Sequence, residues 1–332
     1  MLPVGKQDRI PTQGERIANM SSKGPGRSHR KGITRNELYR LFPNDEAAER
    51  WFEAQRWPKG RHCPRCGSTR TVAVQHRGSM PYRCRDCRRY FSVRWGTVMQ
   101  SSKLGLQTWA FAVHLMATGI KGTSSMAAYR ELGIRQATAW HLMHRVREGL
   151  RQGLGRPLPG PVEADETYVG GLEGNKHARR RLRVGGGTGG KTAVAGVLDR
   201  ESGLLSAAVV ERADGKTLQG FVTDRTEPGA TVYTDESRAY ESLPRKRETV
   251  RHRVGQYVDG MAHTNGLESF WSLLKRGYHG TFHHLSAKHL DRYVGEFSGR
   301  HNVRDMDTLV LMGAIVRGWE GRLVRYRDLV DG

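Results

Sequence analysis

The alternation of apolar and polar residues divides the chain into three parts. Residues 1–36 carry many basic residues among Gly, Ser and Pro and almost no large apolar residue, which predicts a disordered basic arm. The segment 44–57 and three stretches between residues 106 and 150 follow a helical pattern. Beyond residue 161 the pattern changes to short β-rich runs with helical segments between and after them.

Two of the predicted helices form a helix-turn-helix candidate. We expect helices at about 106–118, 124–131 and 135–150, and Leu132-Gly133-Ile134 joins the last two. The apolar residues on one face of the third helix are Ala139, Leu142, Met143 and Val146. The polar residues that can face a DNA groove instead are Arg135, Gln136, Thr138 and His141. Two helices of an ordinary bundle would show much the same pattern, so this alternative stays open.

The second half of the chain predicts an α/β domain with a mixed sheet. A loop rich in Gly and Pro at residues 153–161 separates it from the preceding helices. The predicted strands are 162–169, 192–198, 204–210 and 230–234. The predicted helices are 215–224, 265–276 and 286–300. Strands that come before most of the helices, with one strand-helix-strand unit, favour this fold class.

The charge of the chain indicates a polyanionic partner. Lys and Arg number 55 against 33 Asp and Glu, so the formal net charge is +22 and the pI is near 10.4. Nucleic acid is therefore the first candidate. No stretch approaches the roughly 18 apolar residues of a membrane helix, and the N-terminus lacks the apolar segment of a signal peptide. We expect a soluble intracellular protein without membrane contact.

The chain has four cysteines, arranged as two Cys-x2-Cys pairs: Cys63, Cys66, Cys84 and Cys87. This double spacing is typical of a tetrahedral structural zinc site in a reducing compartment. Four thiolates close the coordination shell, so the metal would fold the module without catalysing a reaction. The alternative is a chance set of free buried cysteines. The arginines that surround the pairs suggest a ribbon in contact with phosphates: Arg61, Arg65, Arg70, Arg83, Arg85, Arg88 and Arg89.

Acidic residues are scarce in this chain, so those at the ends of apolar strands are candidates for chemistry. Within the predicted strand 162–169, alternation puts Glu163 and Asp165 on one face. Asp235 closes the predicted strand 230–234. A third polar group occupies the predicted helix 265–276 and consists of Asn265, Glu268 and Lys275. Asn265 lies one turn before Glu268, and Lys275 lies two turns beyond it.

One carboxylate from each of three separated segments suits a pair of Mg²⁺ ions. Mg²⁺ prefers oxygen ligands, keeps several waters and takes further ligands from substrate phosphates. Two such ions, roughly 3.5–4 Å apart, can activate an attacking oxygen and stabilise the leaving one in a displacement at phosphorus. Single acids at strand ends are usually solvated charges or helix caps, so the prediction depends on the triple. We expect two catalytic Mg²⁺ or Mn²⁺ ions and one structural zinc ion per chain.

The segment 185–192, Gly-Gly-Gly-Thr-Gly-Gly-Lys-Thr, matches the P-loop expression literally. A P-loop requires a buried strand before it and a helix after it. Here an arginine-rich run precedes the segment, and strand-like residues follow from Thr192. We therefore interpret the segment as a basic loop that clamps nucleic acid together with Arg179, Arg180 and Arg181.

Several motifs resemble the IS1595-type, ISXO2-like, transposases of bacterial insertion sequences. The resemblance runs from about Phe42 to Arg304. It includes Arg56-Trp-Pro, Tyr82-Arg-Cys-Arg-Asp-Cys and Glu163-Ala-Asp-Glu-Thr-Tyr-Val-Gly-Gly. The most specific motif is His263-Thr-Asn-Gly-Leu-Glu-Ser-Phe-Trp-Ser-Leu-Leu-Lys-Arg-Gly.

The resemblance implies a zinc ribbon, a helix-turn-helix and a ribonuclease-H-like catalytic domain with an acidic triad. Carried over by position, the first two acids are Asp165 and Asp235. Related transposases use Glu or Asn as the third residue, so Glu268 and Asn265 are both candidates. Lys275 follows Glu268 by seven residues, the offset of a basic residue in many such enzymes, and this favours Glu268.

The resulting domain organisation has five segments. They are a disordered basic arm (1–36), an N-terminal helix and zinc ribbon (37–95), a helix-turn-helix region (103–152), the ribonuclease-H-like domain (161–305) and a C-terminal extension (306–332).

The resemblance implies a DDE-type DNA transposase that binds terminal inverted repeats and catalyses metal-dependent strand cleavage and strand transfer. The expected partners are double-stranded DNA of the repeats and of the target, with a homodimer or larger assembly on DNA. The expected location is the cytoplasm of a bacterium, in association with the nucleoid. A non-catalytic zinc-ribbon regulator derived from such an enzyme is the alternative. A recombinase with a covalent Tyr or Ser nucleophile is disfavoured, because the chain shows no matching arrangement of residues.

Overall fold

The computed structural model describes residues 30–75, 78–151, 153–171, 177, 179, 187–249 and 264–331. These residues form two compact units. The first unit contains the described residues up to 150 together with those from 305 onward, and the second contains those in 151–304. Within these residues, no helix combines the length and the apolar character needed to cross a membrane. Residues 1–29 of the predicted basic arm lie outside the described part of the chain. Residues 30–36 are described, and the last two begin a helix that Thr34 caps, so the predicted disorder does not extend to residue 36.

Two helices come first among the described residues of the first unit, and each begins at a capping residue. Helix α1 is Arg35–Leu41 and helix α2 is Asp45–Arg56. Thr34 and Glu37 form a capping box, in which each side chain accepts the other residue's backbone N–H. Asn44 Oδ1 accepts a backbone N–H of the first turn of α2 at 2.9 Å, which confirms the predicted N-cap.

A small antiparallel sheet follows and forms the ribbon. Its strands, in spatial order, are β1 (Thr71–Ala73), β2 (Tyr82–Cys84) and β3 (Tyr90–Phe91). The rings of Trp57, Tyr82 and Phe91 pack together, with centroids 5.7–6.1 Å apart. Since Trp57 directly follows α2, this aromatic cluster joins the helix to the ribbon.

Three more helices complete the first part of this unit. They are α3 (Leu106–Thr118), α4 (Ser125–Leu132) and α5 (Gln136–Arg147). The bounds of α3 are those predicted. Helix α4 is shifted by one residue from its predicted bounds, and α5 begins one residue later and ends three residues earlier than predicted. Gly133, with φ at +64°, ends α4 in the left-handed conformation and starts the turn. The predicted apolar face of α5 is buried.

The described residues of the second unit form five strands and three α-helices. The strands are β4 (Val162–Val169), β5 (Thr192–Asp199), β6 (Leu205–Val209), β7 (Thr231–Thr234) and β8 (Lys246–Thr249). The helices are α6 (Gly215–Thr223), α7 (Asn265–Gly277) and α8 (Ala287–Asn302), and a π-helical turn (Tyr278–Phe282) follows α7.

Strand β4 lies at the centre of a mixed sheet with the order β6-β5-β4-β7-β8. Strands β4, β5 and β6 are antiparallel neighbours, whereas β7 is parallel to β4 and β8 is parallel to β7. The predicted mixed sheet is confirmed. The edge strand β8 was not predicted, because Lys-Arg-Glu-Thr has no apolar alternation and charged residues are typical of a sheet edge.

Helices cover both faces of this sheet. On one face, α7 and α8 pack Leu267, Phe270 and Val294 against strand residues that include Val194. On the other face, α6 packs its own apolar side chains against Ala164 and its neighbours. The sheet therefore lies between two helical layers, each with its own apolar core.

The last described residues return to the first unit and supply part of its core. Helix α9 is Thr308–Arg317 and helix α10 is Tyr326–Val330. Between them Trp319 is 0% exposed, and its ring lies 5.6 Å from that of Trp109 and 6.0 Å from that of Phe52. The segment expected as a C-terminal extension thus fills the space between α2 and α3.

Polar contacts hold the same C-terminal segment in place. Arg56 Nε and Nη2 donate to the two carboxylate oxygens of Glu320 at 2.8 and 2.7 Å. Arg317 Nη1 donates to Gln55 Oε1 at 2.7 Å. These bonds join the end of α2 to the residues in and after α9, so this unit depends on contacts between residues far apart in the chain.

Candidate functional site

The four cysteine sulfurs lie within 4.8 Å of one another. Cys63 Sγ is 3.6 Å from Cys87 Sγ, and Cys66 Sγ is 3.6 Å from Cys84 Sγ. Two thiolates bound about 2.3 Å from a tetrahedral zinc ion are about 3.8 Å apart, so this donor set fits the metal. Across the described residues, no other group of three or more His, Cys, Asp or Glu side chains meets the 4.8 Å spacing.

Two of the predicted acids, Asp165 and Asp235, lie at matching register positions of neighbouring strands. Strands β4 and β7 are parallel, with Glu163 opposite Tyr233. When this register is continued by two residues, Asp165 stands opposite Asp235, which directly follows β7. Neighbouring strands are about 4.8 Å apart. The sheet register therefore brings the two acids side by side although 69 residues separate them in the chain.

Burial and like charge oppose the ionisation of Asp165 and of its neighbour Glu166. Burial, together with the nearby charges of Glu166 and Asp235, raises the pKa of Asp165 to about 7. Burial also raises the pKa of Glu166, whose Oε2 accepts a hydrogen bond from the Tyr240 hydroxyl at 2.7 Å. A divalent cation would offset this clustered negative charge, so the oxygen donors fit an ion such as Mg²⁺.

Helix α7 is joined to β4 by two hydrogen bonds. The backbone N–H of Leu267 donates to Glu163 Oε2 at 2.9 Å, and Trp271 Nε1 donates to Asp165 Oδ2 at 2.9 Å. The first bond puts a buried carboxylate at the N-terminus of the helix, where the helix dipole favours negative charge. The second bond lies further along both β4 and α7 than the first. Helix α7 therefore runs in the same direction as β4, over the face of the sheet that carries Asp165.

Two glycines permit this close approach of helix and sheet. A Cβ atom on Gly196 would lie 2.8 Å from the indole carbons of Trp271. Gly196 is the partner of Asp165 across β4 and β5, so its missing side chain leaves space for the indole beside the carboxylate. A Cβ atom on Gly266 would lie 2.9 Å from Glu163 Oε2. A larger residue at either position would push α7 away from the acids.

The third predicted acid lies on the exposed side of α7. Glu268 is exposed one turn before Trp271, and Thr264 Oγ1 donates to its Oε1 at 3.3 Å. Asn265, the first residue of the helix, and Lys275 are exposed as well. The carboxylates of the predicted triad do not reach the spacing of the cysteine group. The structure thus brings the first two acids together and presents Glu268 on the adjoining helix.

Three residues that position the acids were missed in the sequence. Trp271 contacts Asp165 directly, and its only signal was its place in the most specific motif, one turn after Glu268. Arg200 Nε donates to the buried Glu163 at 3.1 Å. Arg247 Nη2 donates to the main-chain oxygen of Asp235 at 2.9 Å and so fixes the end of β7.

The basic stretch 245–253 predicts phosphate contacts from its charge alone, and the contacts of its described residues correct that expectation. Both of its arginines in the described part of the chain are engaged within the protein. Arg247 contacts the end of β7, and Arg245 Nε donates to Thr226 Oγ1 at 3.2 Å. Residues 250–253 lie outside the described residues.

The four predicted DNA-facing residues of α5 have different environments. Arg135 and Gln136 are exposed, and Gln136 Nε2 donates to a serine hydroxyl of α4 at 2.9 Å. Thr138 is half-buried. His141 is half-buried too, and its Nε2 lies 3.2 Å from the main-chain oxygen of Val324. The C-terminal segment covers His141, which does not face outward as the helical pattern predicted.

The predicted basic loop lies largely outside the described residues. Arg179 is exposed, whereas nothing is described for Arg180 and Arg181. Strand β5 begins at Thr192, immediately after the glycine-rich segment. Because a strand and not a helix follows, the segment is not a P-loop, as the flanking residues predicted.

Comparison with known proteins links both units to mobile DNA elements. Residues 43–90 match a family described as a transposase zinc-ribbon domain, and residues 157–302 match one described as an ISXO2-like transposase domain. The chain is also 30% identical over 280 residues to a Halobacterium salinarum protein described as an uncharacterized protein in transposable element ISH50. This match covers 80% of the present chain and 93% of that protein. The zinc-ribbon match and the four-cysteine group together support a structural zinc ion.

Proposed function

The chain belongs to the ISXO2-like transposases of the IS1595 group, and from this premise we propose that it cuts and joins DNA at the ends of an insertion sequence. The first unit would bind the terminal inverted repeats. The second unit would catalyse metal-dependent strand cleavage and then transfer of the freed strand into target DNA. Both steps are displacements at a phosphodiester.

The observation that carries this proposal is the pairing of Asp165 with Asp235 under helix α7. Asp165, whose ionisation burial opposes, stands opposite Asp235, and the same helix carries Glu268 on its exposed side. The mixed sheet between two helical layers supports a ribonuclease-H-like fold for this unit. A DDE-type enzyme needs three acids that can converge on its metal ions, and these observations support that assignment for Asp165, Asp235 and Glu268.

In this proposal Asp165, Asp235 and Glu268 hold two Mg²⁺ or Mn²⁺ ions. When bound, the ions would supply the charge that activates the attacking oxygen and stabilises the leaving one. Trp271 holds Asp165 in one orientation through its N–H group. Lys275 lies seven residues after Glu268, close to two full helical turns, so both side chains leave the same side of α7. Lys275 would contact a phosphate of the DNA bound there.

Binding of the element ends is assigned to the helix pair α4 and α5, acting as a helix-turn-helix. The short turn at Gly133 and the exposed Arg135 and Gln136 at the start of α5 support this assignment, since such helices read bases with their N-terminal residues. The arginines 179–181 would add phosphate contacts in the second unit. We propose a homodimer or larger assembly on DNA, because strand transfer must bring two element ends to one target.

The experiment is strand cleavage of a duplex that carries the inverted repeats flanking the gene. The full chain is compared with Asp165→Asn and Asp235→Asn in Mg²⁺, in Mn²⁺ and in EDTA. We expect cleavage with either metal, none in EDTA and none by the two variants, which should still bind the duplex. Glu211→Gln, a change at an exposed acid of the same unit, is the matched control and should cleave normally.

Two outcomes would contradict this proposal. Normal cleavage by Asp165→Asn would remove this acid from the site. Tight binding of the repeats by the unaltered chain without cleavage in any metal would favour the alternative of a non-catalytic regulator.

A further inference from the structure

The ribbon contains a cavity that strand cleavage does not use. Its volume is about 420 Å³, within the roughly 300–1,000 Å³ range of small-molecule sites. Cys63 and Phe91 line its buried part, whereas Tyr90 and Trp95 are half-buried and line its sides. The cavity is therefore large enough for one nucleotide and has aromatic side chains within it.

Three exposed arginines, Arg65, Arg88 and Arg89, line the same cavity. None of them forms an ion pair with a described residue, and no acidic residue is among the side chains that line the cavity. Asp86, which belongs to the same turn, pairs instead with Arg70 at 2.9 Å. The cavity thus combines three guanidinium groups that pair with no described acid and three aromatic side chains, Tyr90, Phe91 and Trp95.

The backbone of Arg88 gives an independent reason to assign a role to this site. Arg88 has φ at +57°, a conformation that is uncommon for residues other than glycine. The equivalent position of the first turn, directly after its second cysteine, is Gly67 with φ at +75°. Folding alone favours glycine at both positions. An arginine held in this conformation points to a role for its side chain outside folding.

We propose that this cavity binds one nucleotide that has left the base stack of the DNA. Its base would stack on Tyr90 and Trp95, because every base offers a flat face to an aromatic ring. Its phosphates would contact Arg65, Arg88 and Arg89, whose planar guanidinium groups match phosphate oxygens. This inference rests on the proposed binding of DNA and adds to it a preference of the ribbon for unpaired over paired nucleotides.

The test measures the affinity of the full chain for two fluorescent probes by anisotropy. One probe is a blunt duplex, and the other is the same duplex with a short single-stranded thymine overhang. Stacking of a base on an aromatic residue predicts tighter binding of the overhang probe by on the order of tenfold. Arg88→Gly and Trp95→Leu should remove this preference.

Arg88→Gly is a favourable variant, because glycine accepts the left-handed backbone and the ribbon should keep its zinc. Arg85→Ala is its matched control, since Arg85 is exposed on the same turn but does not line the cavity. We expect Arg85→Ala to keep the preference for the overhang. Zinc content is measured for every variant. If Trp95→Leu loses zinc, a fluorescence measurement replaces this variant. The overhang then carries 2-aminopurine, whose fluorescence the unaltered chain should quench and Arg88→Gly should not.

Three results would overturn the inference. One is equal affinity of the unaltered chain for both probes. Another is an equal loss of affinity for both probes in Arg88→Gly and Arg85→Ala, which would assign the arginines to duplex phosphates. The third is loss of zinc in Arg88→Gly, which would mean that the arginines balance the thiolate charge. If the chain binds neither probe, the proposed DNA binding fails as well. If the chain cleaves repeat DNA but shows no preference for the overhang probe, only this inference fails.

Discussion

The cysteine group and the acidic group are built in opposite ways. The cysteines come from two short turns of one small sheet, and their sulfurs already lie within 4.8 Å of one another. The acids come from the central strand of a larger sheet, the end of its neighbour and a helix that follows much later in the chain. Only Asp165 and Asp235 are brought together by the fold, and Glu268 stands apart on α7.

This difference agrees with the role proposed for each group. A structural zinc site needs four ligands and no open position, so short local turns suffice to build it. A site for phosphoryl transfer must leave positions for water and for substrate phosphates, so its ligands are spread over rigid elements and supported by neighbours. Trp271, Arg200 and Arg247 are such neighbours here.

The largest effect is expected from breaking the cysteine group. Cys84→Ser should remove zinc and unfold the ribbon, since structural zinc contributes roughly 10–16 kcal/mol in small zinc modules. The second unit should unfold at an unchanged temperature, because its core lies within residues 151–304. Elemental analysis and thermal unfolding provide the measurements. Thr69→Ala, at an exposed position of the same ribbon, is the control. One zinc per chain in the Cys84 variant would contradict the assignment.

The next effect concerns the open side of the acidic group. Glu268→Gln should abolish strand cleavage at every Mg²⁺ concentration and leave repeat binding intact. Two Mg²⁺ ions carry four positive charges and Asp165 and Asp235 supply two negative ones, so an anionic third ligand holds them better than an amide. Asn265→Ala should be milder and partly rescued by Mn²⁺. Normal cleavage by the first variant and none by the second would make Asn265 the ligand.

A third prediction separates the two units by their cores. Trp319→Ala should destabilise the first unit by about 3–5 kcal/mol, because it removes a fully buried ring between Trp109 and Phe52. Leu323→Ala in the same segment should change stability by about 0.5 kcal/mol or less, since Leu323 is 48% exposed. Urea unfolding of both variants is the measurement. Equal stabilities would show that the C-terminal residues are not part of this core.

The smallest effect concerns the support of Asp165. Trp271→Phe keeps an aromatic ring over Gly196 and removes the N–H donor, so cleavage should slow by about 10–100-fold and need more Mg²⁺. Phe270→Leu, a change at a buried neighbour whose side chain has no hydrogen-bond donor, should lower stability without changing the Mg²⁺ requirement. A titration of cleavage rate against Mg²⁺ distinguishes positioning from packing. An unchanged requirement in Trp271→Phe would leave the indole with a packing role only.

Elements that depend on local rules were predicted closely. Helix α3 and strand β4 have the bounds expected from apolar periodicity, and Asn44 caps α2 as expected. Strand β8 and helix α1 were not predicted. Both are short and polar, and β8 exists because β7 offers it hydrogen bonds. The helical pattern of α5 predicted that His141 faces DNA. The C-terminal segment around Val324, far away in the chain, covers it instead.

The amino-acid sequence by itself determined the cysteine pairs, the helical and strand periods and the motifs that place the chain in its family, because each depends on residues close together in the chain. Tertiary structure alone decided that Asp235 stands beside Asp165, that Trp271 donates to this acid and that Trp319 closes the core of the first unit. These contacts join residues far apart in sequence. Their formation depends on strand register, on the space left by glycines such as Gly196 and on the burial of large rings, none of which a local pattern encodes.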